Sequence, residues 1–230
     1  MAPSLPPGQK RRENMPRFGM TQYANRFPHS PDKVSLSIKG DVAQSVSVDK
    51  QLLTLPRVSQ VSDFHCVTSW SVQGLSWSGF RFADVYEQLI RPMANPSDDA
   101  KFVVLVAQDG YRSSLLLDDL LNADVLLADR LNGRPLSIAH GAPLRLVAPR
   151  HYGYKSIKHL QSLGFYRDSF EFKPWYLRWM VHPRGRVARE ERGRGLPGWF
   201  LRFLYRPMIG SAEKLSRDRL AAYERRSNRA

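Results

Sequence analysis

Residues 140–158 read HGAPLRLVAPRHYGYKSIK and hold the strongest pattern in the chain. An apolar run from Leu144 to Ala148 predicts a buried strand. A Tyr-Gly-Tyr turn follows, and directly after it come Lys155, Ser156 and Lys158. Two ammonium groups, a hydroxyl group and the exposed N–H groups of a turn suit the binding of a phosphate. The stretch therefore indicates a strand followed by an anion-binding loop.

The same stretch has a second interpretation, a basic surface loop that follows a core strand. Arg145 fits the first interpretation, because a planar guanidinium can bind an anion or a carbonyl through two hydrogen bonds. On these residues alone the two interpretations are equally supported, and another segment is needed to choose between them.

That segment surrounds Cys66, the only cysteine of the chain. A lone cysteine forms no intrachain disulfide and is most often a small buried apolar residue. Here it directly follows a strand predicted over Val58–His65, and the nearby Gly74 and Gly79 allow unusual backbone angles. A thiolate in that setting is a soft ligand for a redox metal. A nucleophile paired with His65 is a weaker alternative, because adjacent strand residues point to opposite faces.

The rest of the pattern predicts a β-rich, mixed α+β domain with many short strands and few helices. Asp109-Gly110 and Asn132-Gly133 are typical hairpin turns. The predicted elements are strands near 34–38, 58–65, 102–107, 111–117, 125–128, 144–148 and 157–160, a helix over 82–90 and one helical turn at 118–121.

The net charge of +14 is concentrated at the two ends of the chain. Residues 1–33 carry six basic and two acidic side chains, residues 171–230 carry fifteen and six, and the middle is nearly neutral. Nucleic-acid-binding domains usually carry their basic stripe on the folded unit itself, so nucleic acid is not favoured as a partner. We therefore expect an irregular basic arm over 1–32, one domain over 33–170 and an aromatic, Arg-rich extension over 171–230.

The extension allows two interpretations. It could be an interfacial segment, with its aromatic side chains in the headgroup region and its arginines near anionic lipid. Alternatively, the aromatics pack back on the domain while the arginines stay solvated, and this interpretation is favoured. The aromatic residues concerned are Trp175, Tyr176, Trp179, Trp199, Phe200 and Phe203, and the arginines are Arg192, Arg194, Arg202 and Arg206. The pattern over residues 211–226 predicts an amphipathic helix.

The two segments together resemble the molybdopterin-binding domain of the sulfite oxidase family. The resemblance covers roughly residues 34–165 and is strongest to the bacterial branch that includes the catalytic subunit of the periplasmic methionine-sulfoxide reductase. It is carried by Cys-Val-x-x-Trp-Ser at 66–71, by His-Gly-x-Pro-Leu-Arg-Leu-Val at 140–147, and by Tyr-Gly-Tyr-Lys-Ser-Ile-Lys at 152–158.

The resemblance implies a role for individual residues. Cys66 matches the thiolate that ligates molybdenum. Positions that bind the pterin and its phosphate are matched by His140, Arg145, Ser156, Ile157 and Lys158, and Lys155 occupies a position where family members carry Lys or Arg. Further candidates are Arg112, Arg150 and His151 at the mouth of the catalytic site and Asn25 as a cofactor contact.

The resemblance also implies an enzyme with a molybdenum–molybdopterin cofactor. It would move an oxygen atom to or from a small substrate, such as a sulfoxide, a sulfite-like anion or an N-oxide. No haem domain fits in this chain, so electrons would pass to or from a separate protein. The N-terminus lacks the apolar run of a secretory signal, so we expect a cytoplasmic protein, with peripheral membrane contact if the extension is interfacial. The alternative is a non-enzymatic adaptor that binds an anionic membrane or nucleic acid through its basic ends.

Overall fold

A computed structural model describes residues 4–168 and 181–227. Along the chain, the strands are β1 (Lys10–Arg12), β2 (Leu36–Gly40), β3 (Val46–Val48), β4 (Val58–His65), β5 (Trp70–Arg81), β6 (Phe102–Ala107), β7 (Arg112–Leu116), β8 (Leu126–Leu131), β9 (Arg134–Pro135), β10 (Arg145–Val147) and β11 (Leu160–Tyr166). The α-helices are α1 (Phe82–Val85), α2 (Arg91–Ala94), α3 (Leu117–Leu120), α4 (Gly198–Tyr205) and α5 (Met208–Ser227). A π-helical turn (Tyr86–Ile90) joins α1 to α2, and short 3-10 helices lie at Thr21–Tyr23, Lys50–Thr54 and Ile138–His140.

The strands of the described residues form two mixed sheets. In the first, the order is β1-β5-β8-β10, with β4 also paired to β5 and β9 to β8. In the second, the order is β3-β2-β11-β6-β7. Strands that are adjacent in sequence and joined by tight turns pair antiparallel, whereas β11 returns parallel to β2. This is the β-rich α+β fold that the sequence predicts.

The main apolar core contains side chains from both sheets. Ile38 and Leu105 come from the second sheet, Phe80 and Leu127 from the first, and Val85 from the helical segment that covers them. The continuous apolar run of β6 is explained by this position, because its strand is buried in the middle of the sheet next to β11. A second, smaller apolar cluster, which includes Cys66, lies on the opposite face of the first sheet: Leu126 and Ala128 of β8 belong to it, whereas Leu127 between them belongs to the main core.

Most predicted elements are confirmed. Strands β4 and β6 have the predicted limits, and the helix over 82–90 continues to Ala94. Asn132 and Gly133 have φ of 50° and 76°, as a two-residue hairpin of the I′ type requires.

Two expectations were wrong. The longest strand, β5, is missed because its glycines and serines resemble a loop. The strand expected over 157–160 begins only at Leu160, since the backbone at His159 has a φ of 54° and breaks the extended run.

Both terminal segments take part in the fold. Strand β1 of the N-terminal arm pairs in parallel with the start of β5. The C-terminal extension forms α4 and α5, so the predicted helix over 211–226 is confirmed and begins earlier, at Met208. Trp175, Tyr176 and Trp179 lie outside the described residues. Within the described ranges, none of the helices has the length and apolar character needed to span a bilayer.

Gly79 is a sensitive point of the first sheet. A Cβ there would lie 2.1 Å from the backbone oxygen of Leu127 on β8. We expect Gly79→Ala to lower the free energy of unfolding by about 2–4 kcal/mol, because two backbones would be forced apart. Gly210→Ala is the control: nothing lies within 4 Å of its Cβ position inside α5, and we expect a gain of about 0.5–1 kcal/mol. Urea denaturation of both variants measures the difference, and equal stabilities would contradict this reading of the sheet.

Candidate functional site

A cavity of about 400 Å³ joins Cys66 to the loop after the Tyr-Gly-Tyr turn. Four segments form its wall. These are the N-terminal arm (Met15 to Tyr23), the β4–β5 connection (Phe64 to Trp70), the loop with Gly153, Tyr154, Ser156, Ile157 and Lys158, and the C-terminal residues Tyr205, Met208 and Ala212. Asp109, Tyr111 and Val181 complete it.

Cys66 lies in the tight connection between β4 and β5. Its N–H donates to the carbonyl of Trp70 at 2.8 Å, and its own carbonyl accepts from the N–H of Ser69 at 3.1 Å. Ser69 has a φ of 80°, so the chain reverses within four residues. The side chain is 7% exposed, and the exposed part faces the cavity. The turn thus presents a single sulfur atom at the cavity wall.

Two long-range hydrogen bonds hold this connection in place. The Nε2 amide of Gln9 donates to the carbonyl of Cys66 at 3.2 Å. The guanidinium of Arg192, which is wholly buried, donates to the carbonyl of Val67 at 2.5 Å. The position of the sulfur therefore depends on residues from both ends of the chain.

The chemistry of the thiol favours a metal ligand over a free nucleophile. Burial raises the pKa of Cys66, although hydrogen bonding to Thr68 and the positive charge of Arg192 oppose the shift. The Sγ–Thr68 Oγ1 distance is 3.1 Å. His65 is engaged elsewhere, since its Nδ1 lies 2.8 Å from the hydroxyl of Ser71. A thiol that is protonated near neutral pH and lacks a base is a poor nucleophile, whereas a bound metal would force its deprotonation.

The other end of the cavity is positively charged. The ammonium group of Lys158 donates to the carbonyl of Ala139 at 2.8 Å. Burial, with help from Arg145 and Arg17, lowers the pKa of Lys158 to about 7. Burial and the charges of Lys158 and Arg145 also lower the pKa of His140 to about 4. An anion bound here would remove the repulsion that depresses both values.

His140 has a further property of a ligand-binding residue. Its Nδ1 is buried and has no hydrogen-bond partner among the described residues. A buried ring nitrogen without a partner costs free energy, so it is expected to find one in a bound molecule or water. Cys66 and Lys158 line one cavity, whereas His140 is not among its lining residues and acts on Lys158 only as a neighbour. A sulfur ligand and a cation on the wall of a single cavity fit a metal-carrying molecule with an anionic group.

Arg145 lies beneath the loop and does not line the cavity. Its guanidinium donates to the carbonyls of His140 at 2.8 Å and Ser156 at 3.1 Å, between the rings of Trp77 and Phe64. Burial lowers the pKa of Arg145 to about 9. Instead of clamping an anion directly, as the sequence suggests, it joins the two chain segments that surround Lys158.

The predicted phosphate cradle is also smaller than expected. Lys155 lies outside the cavity wall, because its ammonium donates to the carbonyls of Ser114 at 2.6 Å and Pro183 at 2.5 Å. The N–H groups of Ser156 and Ile157 donate within the loop itself. Both residues line the cavity, but the charge that faces it is that of Lys158.

The residues predicted for the mouth of the site lie elsewhere. Arg150 is exposed and bonded to Asp124 at 2.9 Å. His151 is buried, 3.5 Å from Asp119, and Arg112 is exposed on β7. Asn25 is exposed and does not reach the cavity, whereas Tyr23, two residues earlier, does. None of these four residues lines the cavity, so their roles at the site stay predictions. Spacing along the sequence does not show which side of a loop faces inward.

Sequence reasoning missed the wall that the two terminal segments supply. The arm contributes Met15, Phe18 and Met20, and the extension contributes Tyr205 and Met208. The available signal was the presence of large apolar side chains in a segment otherwise rich in proline and arginine. Among the described residues, no group of three or more His, Cys, Asp or Glu side chains could hold a metal.

The fold and this cavity define a domain that binds a metal-carrying cofactor. The chain belongs to the family described as the oxidoreductase molybdopterin binding domain, whose model matches residues 24–173. It is therefore an enzyme of the sulfite oxidase-like type and binds molybdopterin.

Several known proteins are similar to it. The uncharacterized oxidoreductase YuiH of Bacillus subtilis is 33% identical over 72% of this chain and 80% of its own length. The catalytic subunits of the protein-methionine-sulfoxide reductases of Campylobacter jejuni and Xanthomonas campestris are 29% and 30% identical. The alignments cover 64% and 63% of this chain, but only 59% and 48% of those proteins.

A solved structure shares the fold. The sulfane dehydrogenase SoxCD of Paracoccus pantotrophus superimposes with a TM-score of 0.56 at 20% identity, over 73% of this chain and 46% of that one. This similarity supports the α+β architecture described above.

The charge of Lys158 predicts a pH dependence for the cofactor-free protein. Its pKa in the folded state, about 7, lies below the ordinary value of 10.5. The unfolded chain therefore binds more protons between these values, and stability rises with pH across that interval. We expect Lys158→Met to be more stable than the wild type by about 1–2 kcal/mol at acidic pH, because it removes an unpaired buried charge. The advantage should shrink as the pH approaches the ordinary lysine pKa. Urea denaturation over this range measures it, and parallel pH profiles for the two proteins would refute it.

Proposed function

We propose that Cys66 ligates the molybdenum of the bound cofactor and that the enzyme transfers an oxygen atom to or from a small uncharged substrate. The observation that carries the proposal is the shared cavity, because Cys66 and Lys158 both line it. When bound, the cofactor supplies a metal centre capable of two-electron oxygen-atom transfer. The protein supplies the position, charge and water exclusion around that centre.

At the metal end, Cys66 donates one sulfur. Since burial raises its pKa, the thiol carries a proton before the metal binds, and binding releases that proton. Thr68 is the hydrogen-bond partner of the sulfur, and Arg192 and Gln9 hold the backbone beside it. These contacts fix the direction in which the sulfur points, which determines where the substrate must approach.

At the other end, Lys158 binds the anionic tail of the cofactor. Its ammonium is the basic group on the cavity wall, and Arg145 and Arg17 add to the positive potential around it. His140 does not line the cavity, so its contact with the cofactor, which the family resemblance implies, stays a prediction. Ser156 and Ile157 shape the wall between these groups and the sulfur.

The wall favours an uncharged substrate. Apart from Lys158, the charged side chain on the described wall is Asp109, and the rest is dominated by groups such as Met15, Phe18, Phe64 and Trp70. A sulfite-like dianion would need cations on the cavity wall near the metal, and Arg112 and Arg150 do not lie there. The charge of Arg192 reaches Cys66, but its guanidinium is already bonded to Val67, Pro7 and Glu190 and does not line the cavity. A sulfoxide or an N-oxide suits the apolar wall better. The similarity to two methionine-sulfoxide reductase subunits supports the sulfoxide.

Electrons should come from, or pass to, a separate protein. The relatives named as reductases are described as catalytic subunits, which supports a second component. The expected cytoplasmic location stays a prediction. The non-enzymatic adaptor is not retained, because the family match makes the chain an enzyme.

Removing the sulfur separates metal ligation from cofactor binding. We expect the wild-type protein from molybdate-replete cells to contain about one molybdenum and one pterin per chain. Cys66→Ser should retain the pterin, which Lys158 still binds, but lose sulfoxide reduction by at least about 100-fold. Elemental analysis, pterin fluorescence and turnover with a reduced dye as donor measure the three quantities. Metal-free wild-type protein, or a fully active Cys66→Ser variant, would disprove the proposal.

Removing the cation tests the opposite end of the cavity. We expect Lys158→Ala to lose pterin roughly 10-fold to 100-fold faster on dilution, because it deletes a charge-assisted contact in a buried site. Lys101→Ala is the control, since Lys101 is exposed and does not line the cavity. Pterin release is followed by fluorescence, and identical release from both variants would remove Lys158 from the binding site.

A further inference from the structure

Helix α4 exposes a continuous apolar face. Trp199 is 56% exposed and Phe203 60%, and Phe200 and Leu204 lie beside them. On the opposite side of the same helix, Leu201 and Tyr205 are buried. Trp199 and Phe203 are four residues apart, and so are Phe200 and Leu204, so all four lie on one side of the helix. Soluble surfaces rarely carry so many large apolar groups together without a partner.

The favoured expectation for these side chains was therefore wrong. Trp199, Phe200 and Phe203 of α4 do not pack back on the domain, although Tyr205 does, and two of the arginines expected to be solvated are held in ion pairs. Arg192 is wholly buried, and Arg202 is paired with Glu190 at 2.9 Å. The helix turns its aromatic side outward and its central arginine inward.

The segment that carries this face is strongly basic. Residues 181–227 contain twelve basic and five acidic side chains. Three of the five acids, Glu190, Glu191 and Glu213, are already held in ion pairs with arginines. The guanidinium of Arg206 lies 5.6 Å from the ring of Phe203, at the edge of the apolar face. The segment therefore carries a net charge of +7. Four of its arginines are themselves paired with acids, and Arg206 brings positive charge to the edge of the apolar face, as contact with an anionic surface requires.

The face continues into the wall of the cavity. Met208 follows α4 by one turn, is 49% exposed and also lines the cavity. Tyr205, on the buried side of α4, lines it as well. The cavity thus approaches the surface beside the apolar face.

We propose that this face of α4 docks on the surface of an anionic lipid bilayer and turns the opening beside Met208 towards it. Tryptophan and phenylalanine enter the boundary between headgroups and acyl chains, and arginine binds anionic headgroups. A protein partner needs no such excess of one charge around the patch. Docking would give an apolar substrate or a membrane electron carrier a short path to the cavity.

The docking helix is tied to the sulfur-bearing turn. Arg202 of α4 bonds Glu190, which bonds Arg192, which in turn donates to the carbonyl of Val67. Docking would therefore hold the cavity and the Cys66 turn in a fixed orientation to the bilayer.

Vesicle sedimentation tests the proposal without any need for the cofactor. The purified full-length chain should bind vesicles of phosphatidylcholine and phosphatidylglycerol in equal parts, bind phosphatidylcholine alone much more weakly, and be released by salt. Trp199→Ser combined with Phe203→Ser should weaken binding at least about tenfold, because two large apolar groups no longer leave water. Leu53→Ser combined with Val61→Ser is the matched control: these residues are 64% and 71% exposed elsewhere on the surface and should leave binding unchanged.

Three results would overturn the proposal. The wild type could fail to bind anionic vesicles, or the α4 double variant could bind as tightly as the wild type. Sedimentation velocity could also show that the wild type is a dimer and the α4 double variant a monomer, in which case a second copy of the chain covers the face. All the substituted side chains are largely exposed, so the circular dichroism and melting of the variants should match those of the wild type.

Discussion

The buried guanidinium of Arg192 is the contact on which the site depends. It donates to the carbonyls of Val67 and Pro7, pairs with Glu190 and lies over the ring of Tyr152. It therefore joins the turn that carries Cys66 to the N-terminal arm and to the C-terminal extension. Removing one partner of a buried ion pair lowers the stability of a protein by about 3–5 kcal/mol. The three segments are consequently held together as one unit, and the sulfur cannot shift without breaking several bonds at once.

The cations around Lys158 are arranged differently. Within the part of the chain that the structure describes, neither Lys158 nor Arg145 forms an ion pair, and Asp109 acts on Lys158 only through its charge. Arg145 is satisfied only by carbonyls, Lys158 faces the cavity, and His140 has an unpaired ring nitrogen. Such an arrangement lowers the stability of the protein alone, and the depressed pKa values of Lys158 and His140 express that cost. Binding sites often sacrifice stability in this way. A bound anionic ligand would offset this loss of stability, so cofactor binding and folding should be coupled.

The limits of prediction from the sequence follow from what each pattern contains. Strands β4 and β6 were placed correctly, since alternation and apolar runs report directly on burial. Cys66, Ser156, Ile157 and Lys158 were brought to one cavity, as the two motifs suggested. Lys155 and Arg145 were assigned to a ligand but bind carbonyls, because a motif shows which residues are near a site and not which way they point. Asn25 and His151 do not line the cavity, and their roles stay predictions.

Helix α4 shows a deeper limit. The one charged residue of its sequence GWFLRFLY is Arg202, so an amphipathic pattern predicts that Arg202 faces solvent and that the opposite side, with Phe200 and Leu204, is buried. The structure has Phe200 and Leu204 exposed instead. The choice is made by tertiary contacts: Arg202 bonds Glu190, and this fixes the rotation that buries Leu201 and Tyr205. The same rotation leaves Trp199 and Phe203 outside. A helix with two apolar faces needs two apolar neighbours, and in the described structure the protein itself supplies one of them.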